Sequence, residues 1–366
     1  MKIGIDAKWF FDGPPSGRVV VRNIIEALLE VNKEDLFYLF LNKSDKHKTF
    51  PFLNNNVKLI YVKNINNALT NVLFLPLYSR KLKLDIILYQ NFPSPFSRSI
   101  NYIHDVLFLE YPEYYTLKER LYLWPIKFLS KFSNHIITIS ESEKDRMVKH
   151  KISDSKNISV VYHGINKEYE KLHSKESIDT FRKKYNLPEK FVLYLGRLNS
   201  RKNISTLIKA LHKLENVTLV IAGKEDREII NLKQLILELK LGKRVIFLGH
   251  IPDNDITLLY SAANIFCFPS FAEGFGLPPL ESMASGTPVI VSNTTSLPEV
   301  CSNAALYVDP KNSSELATQI NRLITDENLY SKLVILGKER ASSFNWTIAA
   351  EKINNIFNFV QNNETR

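Results

Sequence analysis

Three groups of residues in this chain have the types and spacing that chemistry needs, and each lies where a strand gives way to a helix. The fullest is FCFPSFAEGFGLPPLESMASGTPVIVSN, Phe266 to Asn293. A short apolar strand, Ile265 to Phe268, breaks at Pro269 and leads into a Gly-containing loop, Ala272 to Gly276. Pro278 and Pro279 suit the first positions of a helix, where a missing N–H costs nothing. That helix runs through Leu280, Met283 and Ala284 to Gly286, and a second strand follows from Pro288 to Ser292. Backbone N–H groups and the positive end of the helix dipole make such a turn an anion-binding unit. Glu273 in the loop and Glu281 on the helix flank it; they are not an i,i+4 pair, but the loop can fold both towards one cleft. The second group is GRLNSRKN, Gly196 to Asn203, between a strand at Phe191 to Leu195 and an amphipathic helix from Ile204. Arg197 and Lys202 at the mouth of this turn suit a diphosphate, one as a planar fork and the other as a point charge. The third is His104-Asp105, just past a strand ending at Asn101 to Ile103. Ligands bind at such strand ends in open α/β sheets.

The elements that must position these residues alternate strand and helix, the pattern of parallel sheets covered on both faces. Lys2 to Asp6 reads as a buried first strand, followed by the loop WFFDGPPSGR and a helix from about Val19 to Val31. Gly13 and Gly17 in that loop let the backbone approach a ligand. Further strands are expected at Phe37 to Leu41, Val57 to Val62, Asp85 to Tyr89, Asn134 to Ser140 and Ile158 to Tyr162, then at Val217 to Ala222 and Arg244 to Leu248. Ser140 reads as the cap of the helix that begins with Glu141 to Glu143. Asp253-Asn254-Asp255 has the spacing of a metal-holding triplet, but it precedes the amphipathic run Ile256 to Ala262 and reads as helix capping, so no metal is expected. Residues 117–132, LKERLYLWPIKFLSKF, alternate bulky apolar and basic side chains, with Trp124, Phe128 and Phe132 at helical spacing beside Lys127 and Lys131. Two readings fit: a surface helix lying on an anionic bilayer, or a core helix whose lysines snorkel to solvent.

At 366 residues the chain is long enough for two domains. No run of 18 apolar residues occurs, and Met1 leads directly into a strand pattern, so a cytoplasmic protein is expected. Cys267 and Cys301 have no metal or redox spacing and read as reduced packing residues. The net charge is +10, and residues 1–165 hold 23 Lys and Arg against 16 Asp and Glu. A basic first half can face nucleic acid, anionic lipid or a phosphorylated acceptor. No nucleic-acid-binding signature accompanies it, so nucleic acid is not expected as a partner.

The Phe266 to Asn293 stretch resembles the E-x7-E signature of the retaining, nucleotide-sugar-dependent glycosyltransferases of the GT-B type, glycosyltransferase family 4; EGFGLPPLESMASGTPVI follows the pattern almost residue for residue. Other blocks resemble the family in the same order: Gly17-Arg18, His104-Asp105, HGIN at His163 to Asn166, G-R-L-x-x-x-K-[GN] at Gly196 to Asn203, FLGHIPDNDITLLYSAAN, and SLPEV. The resemblance covers essentially the whole chain. It implies two Rossmann-like domains facing across a cleft: residues 1–166 for the acceptor, residues 167–345 for the nucleotide-sugar donor, and a helix over 346–366 crossing back to the first. Ile348, Ile353, Ile356 and Phe357 offer that helix an apolar face.

By the same resemblance, Arg197, Lys202 and the helix N-terminus near Leu277 to Leu280 neutralise charge on the leaving diphosphate. Glu281 bonds the ribose hydroxyls, while Glu273 and the N–H groups of Gly274, Phe275 and Gly276 hold sugar hydroxyls. Gly17 and Gly196 border the donor, and backbone groups near Gly249, His250 and Ile251 lie by the nucleobase. His104 contacts the transferred sugar near its anomeric carbon, oriented by Asp105. No residue is placed as a covalent nucleophile, so retention by front-face attack is implied, with no metal or other cofactor. The expected reaction moves a hexose, first mannose from GDP-mannose, onto a lipid-linked glycan of a polysaccharide or lipopolysaccharide. UDP-GlcNAc, UDP-glucose and dTDP-rhamnose are the alternative donors. A sugar-nucleotide epimerase of the same fold lacks the glutamate block, and an inactive donor-binding module would not need every charged residue. Peripheral contact with an anionic membrane through the basic first domain, at its inner face, completes the expectation.

Overall fold

The computed structural model of the protein describes residues 1–63, 65–224, 226 and 228–363. It divides into two compact units, residues 1–164 together with the chain from Asn345 onward, and Ile165–Phe344.

The first unit is built on seven parallel strands: β1 (Lys2–Asp6), β2 (Leu36–Asn42), β3 (Val57–Val62), β4 (Ile86–Gln90), β5 (Ser99–Tyr102), β6 (His135–Thr138) and β7 (Ile158–Val160). Their order is β3-β2-β1-β4-β5-β6-β7. Strands β4, β5 and β6 are buried along their whole length, as parallel strands covered on both faces must be. The strand order reverses between β1 and β4, the topological switch point at which open α/β sheets leave a crevice at their carboxyl ends.

The loop after β1 differs from expectation. The helix starts four residues early, at Pro15–Val31, with Pro15 at its first position. Gly17 therefore lies inside the helix and not in a ligand loop. Its missing side chain makes room for Trp9, since a Cβ there would sit 2.9 Å from the indole. Gly13 packs on the same ring. The two glycines thus accommodate an aromatic neighbour.

The C-terminal helix, Trp346–Asn362, packs against Pro15–Val31 within this unit. It buries Ile353, Ile356 and Phe357 but leaves Ile348 exposed. Asn32 donates to Asn354 Oδ1 at 2.6 Å, and Arg98 Nη1 donates to Gln361 Oε1 at 2.9 Å.

Residues 117–132 form two short helices, Leu117–Leu123 and Pro125–Leu129, and a 3-10 turn. Ile126 and Ser130 face the core, whereas Trp124, Phe128 and Phe132 are exposed, so the apolar stripe is not the packing face. No helix among the described residues is long and apolar enough to cross a membrane.

The second unit has six parallel strands: β8 (Val192–Leu195), β9 (Leu219–Ala222), β10 (Val245–Gly249), β11 (Ile265–Phe268), β12 (Val289–Ser292) and β13 (Ala305–Val308). Their order, β10-β9-β8-β11-β12-β13, places a second switch point between β8 and β11. Asp253 to Asp255 are the first turn of the Asp253–Ala262 helix, not its cap. Pro252 is the cap residue and makes no side-chain cap hydrogen bond. The two acids complement the helix dipole, and Asp255 binds Lys184 at 2.7 Å and the Tyr185 hydroxyl at 2.6 Å.

Candidate functional site

Three charged side chains of the second unit, Arg201, Lys202 and Glu273, meet at its switch point. Strand β8 ends at Leu195 and the chain turns through Gly196 into GRLNSRKN; β11 ends at Phe268 and runs into the Glu273 loop. Asn203 joins the two turns. It is 2% exposed, and its amide donates to the Pro269 carbonyl at 2.9 Å and the Pro310 carbonyl at 2.6 Å. Its φ of +58° is left-handed, a conformation open to glycine and asparagine among few residues. The backbone also bridges the turns, because the Phe271 N–H donates to the Arg201 carbonyl at 2.9 Å.

This frame seats Glu273 between two cations. Lys202 Nζ lies 2.7 Å from Oε1, and Arg201 Nη1 lies 3.1 Å from Oε2. The Arg201 guanidinium also donates to the Ala272 carbonyl. The Lys202 ammonium sits over the Phe268 ring, 4.6 Å from its centroid. Burial works to raise the pKa of Glu273, but Lys202 and then Arg201 outweigh it and hold the carboxyl at about 2. Two cations and one carboxylate leave the cluster with a surplus positive charge. Thr295 and Ser296 fix the loop itself. Thr295 accepts from the Glu273 N–H at 2.9 Å, and Ser296 donates to the carbonyls of Glu273 and Phe275 at 3.0 and 2.7 Å. The loop ends at Gly276, whose φ of +118° few other residues adopt, and enters the Leu277–Ala284 helix through Pro278 and Pro279. Gly274 is buried in the same loop, and Phe275 packs edge-on against Phe344.

The remaining predicted residues are placed differently. Arg197 is 63% exposed and pairs with Asp226 at 2.8 Å, whereas the ion pairs of Glu273 are with Arg201 and Lys202. Glu281 does not join the Glu273 cluster; it accepts from the Tyr260 hydroxyl at 2.9 Å. Loss of hydration pushes its carboxyl up to about 7, with the hydroxyls of Tyr260 and Tyr169 pulling the other way. His250 is exposed and Ile251 buried just beyond β10.

His104 lies in the first unit, where Trp9 and Gln90 follow or end the strands of its switch point. The imidazole Nε2 lies 2.9 Å from Gln90 Oε1, and the ring packs at 5.3 Å from Trp9 and 5.1 Å from Tyr102. Burial lowers its pKa to about 4, so it is neutral at physiological pH. With the Gln90 carbonyl as acceptor, Nε2 carries the proton and Nδ1 is left to accept. Asp105 instead accepts from the Leu107 N–H at 3.3 Å, so the ring's orienting bond comes from Gln90.

Sequence reasoning missed Arg201, Tyr260, Tyr169, Trp9 and Gln90. Arg201 carried one signal, its place beside Lys202 in the basic turn. The others lie far along the chain from the residues they touch and had none.

The chain matches the family described as Glycosyl transferases group 1 over residues 177–340. It is 32% identical over 223 residues to O-antigen chain mannosyltransferase RfbU of Salmonella typhimurium, an alignment covering 60% of this chain and 59% of that protein. It is 29% identical over 266 residues to O-antigen chain mannosyltransferase B of Escherichia coli, covering 69% and 68%. The chain thus spans less than two thirds of the first of these relatives. In fold it is similar to sucrose-phosphate synthase from Thermosynechococcus elongatus, with a TM-score of 0.78 and 24% identity across 98% of this chain and 99% of that one. The architecture is the GT-B pair of Rossmann-like units, and the match to the glycosyl transferases group 1 spans residues 177–340, which carry Arg197, Lys202, Glu273 and Glu281.

Proposed function

We propose that the protein is a retaining glycosyltransferase that moves a hexose, mannose from GDP-mannose in the first instance, from a nucleoside-diphosphate sugar to a lipid-linked glycan acceptor of surface polysaccharide or lipopolysaccharide. The observation that carries this reading is the Arg201–Glu273–Lys202 cluster set between two strand-to-helix turns, one of which opens the Leu277–Ala284 helix. A surplus cation beside a helix N-terminus suits a diphosphate. The kinship with two O-antigen mannosyltransferases favours mannose.

In this reading Arg201 holds Glu273 while Lys202 shares its ammonium between Glu273 and the arriving diphosphate. Charge that grows on the leaving phosphate is met by groups already in place, which is the usual source of large rate effects. The bond from the anomeric carbon to the phosphate oxygen breaks as the acceptor oxygen bonds the same face, and the acceptor's proton passes to the leaving phosphate. His104, neutral, accepts a hydrogen bond from a hydroxyl of the sugar through Nδ1. The proposed reaction needs no metal ion, and turnover that survives EDTA is the expected result.

The test is a thermal-shift panel of UDP-, GDP- and dTDP-sugars followed by donor-turnover assays. A bound donor raises the melting temperature, by about 2.7 kcal/mol of added stability at a hundred times its Kd. GDP-mannose is expected to give the largest shift, and the product anomer is expected to match the donor's. A donor that emerges as its epimer, or that binds without turnover, would overturn the assignment.

Glu281 supplies a pH dependence. The proposed ribose contact needs its ionised form, so donor affinity is expected to fall as pH drops through about 7. Because the folded pKa lies above the ordinary 4.5, the group favours folding fully below 4.5, and that contribution is lost as pH rises through about 7. Titrating donor binding from pH 6 to 8 against Glu281→Gln checks the first sign and urea midpoints from pH 4 to 8 the second, and a binding profile shared by the two proteins would remove Glu281 from the role.

A further inference from the structure

We propose that Glu143 and Arg146, on the helix that follows β6, are positioning residues for His104, because together they clamp the segment that carries it, His104 to Tyr111. The Ile103 N–H still donates to the Ile137 carbonyl of β6 at 2.8 Å, and beyond it the segment leaves the sheet. There the chain makes a single helical turn, Leu107–Glu110, far shorter than a helix that holds itself. Val106, the cap residue of this turn, makes no side-chain cap hydrogen bond. Val106, Leu107 and Phe108 are buried. The N–H groups that open the turn therefore need acceptors from inside the protein.

Glu143 supplies one. It is fully buried in the Glu141–Lys149 helix, and its Oε2 accepts the Val106 N–H at 2.9 Å. Its Oε1 binds Arg146 Nη1. Arg146, also buried, turns its Nε to Glu110 Oε2 at 2.7 Å, and Lys149 binds the other oxygen of Glu110. The same guanidinium lies 5.8 Å from the centroid of the Tyr111 ring. One planar fork thus joins the carboxylate under the start of the turn to the carboxylate at its end. The helix that carries Glu143 and Arg146 is itself fixed, since Ser140 accepts from the Glu143 N–H at 3.1 Å and β6 pairs with β5. Chain and side chains close a ring that runs from β5 through the segment to Arg146 and back through β6.

Charge is a poor way merely to fill this space. Burial pushes the Glu143 carboxyl up to about 8, while Arg146 pulls it down and the neighbouring Asp105 adds to the rise. A well-packed apolar pair often stabilises as well as a buried ion pair. What the charged pair adds is direction, because each of its hydrogen bonds is satisfied over a narrow range of angles. Val106 stands two residues from His104, whose own N–H donates to Asn91 Oδ1 at 3.3 Å. A misplacement of about 1 Å at a reacting centre can cost about a hundredfold in rate. The role rests on the proposed function in one respect, that His104 contacts the transferred sugar; the placement of the ring does not depend on it.

The experiment has a spectroscopic arm and a kinetic arm, both on the full chain. In the first, histidine is labelled with nitrogen-15 and His104→Ala identifies the His104 signals. The wild-type ring is expected to show the pattern of a neutral imidazole with its proton on Nε2, bonded to Gln90. Glu143→Ala is expected to average that pattern between the two tautomers. This arm decides the placement even if no sugar donor is turned over, so the failure of the proposed reaction is read separately. In the second arm, Glu143→Ala is expected to lower kcat at least about tenfold with the donor KM within about threefold, and to lower it less than about twofold when His104 is already alanine. Glu143→Gln keeps an acceptor for the Val106 N–H, and Arg146 keeps Glu110, so this variant is expected to recover most of the loss. Glu110→Ala leaves the buried Glu143–Arg146 pair in place and frees only the far end of the turn, so it carries the test should Glu143→Ala fail to fold. It is expected to lower kcat about threefold, again only while His104 is present. An unchanged tautomer pattern in Glu143→Ala would overturn the proposal. So would losses that simply add to that of His104→Ala, or wild-type kcat in both alanine variants.

Discussion

Lys202→Met is expected to lower turnover of the sugar donor about a hundredfold, the scale on which loss of one preorganised electrostatic contact is felt. The ammonium is already desolvated, pinned 2.7 Å from Glu273 and laid over Phe268, so it reorganises little when a diphosphate arrives. Methionine keeps the stem's packing and removes only the charge. The companion substitution must be chosen with the structure in view. Alanine at Glu273 would leave Lys202 and Arg201 facing each other without their carboxylate, and breaking such a pair costs roughly 3–5 kcal/mol when it is fully buried. Glu273→Gln keeps the shape and is expected to reduce turnover more than tenfold with the fold intact. Steady-state turnover beside circular dichroism checks both; rates within threefold of wild type for the two variants would take the cluster out of the reaction. The cluster should also be insensitive to pH in the neutral range. Its carboxyl is held at about 2, below its ordinary 4.5, so the pairing favours folding fully above 4.5 and fades only as pH falls through about 2.

Asp6→Ala is expected to destabilise the first unit by about 3–5 kcal/mol, because it strands a buried ammonium. Lys8 and Asp6 are each 1% exposed and bound to one another at the end of β1. Asn71 completes the group, accepting from Lys8 and donating to Asp6 Oδ2 at 2.7 Å. Burial works to lower the Lys8 pKa and Asp6 opposes it, so removing the carboxylate leaves desolvation alone. Pairing Asp6→Leu with Lys8→Met is expected to recover most of the loss, since a well-packed apolar pair often equals a buried ion pair. Urea midpoints of the three proteins decide it: an Asp6→Ala midpoint equal to wild type would mean water reaches the site. The consequence extends to the candidate site, because Lys8 precedes Trp9 and Trp9 packs on His104.

Much of this architecture is legible along the chain because it is local. Strands β3 and β11 and the start of the Trp346–Asn362 helix fall at the expected residues. Period-2 and period-3.6 patterns and caps such as Ser140, which accepts from the Glu143 N–H at 3.1 Å, act within a few residues. Where a local rule had two solutions, the expectation failed. WFFDGPPSGR was read as a glycine loop, but Pro15 can open a helix directly, and the indole of Trp9 then uses the space that the glycines leave.

By itself, the sequence determined the alternation that makes two parallel sheets, the tandem-proline helix start, and the presence of one glutamate loop and one basic turn. The tertiary structure alone decided which charges meet. Lys202 and Arg201 stand about 70 residues from Glu273, and they reach it because β8 and β11 are neighbours at the switch point, a strand order that no pattern along the chain encodes. The same placement sends Arg197 to Asp226, gives Glu281 to Tyr260, and hands His104 to Gln90 instead of Asp105. Side-chain partnership depends on which strand ends lie side by side and on which way each turn leaves its strand. Those are properties of the assembled sheet.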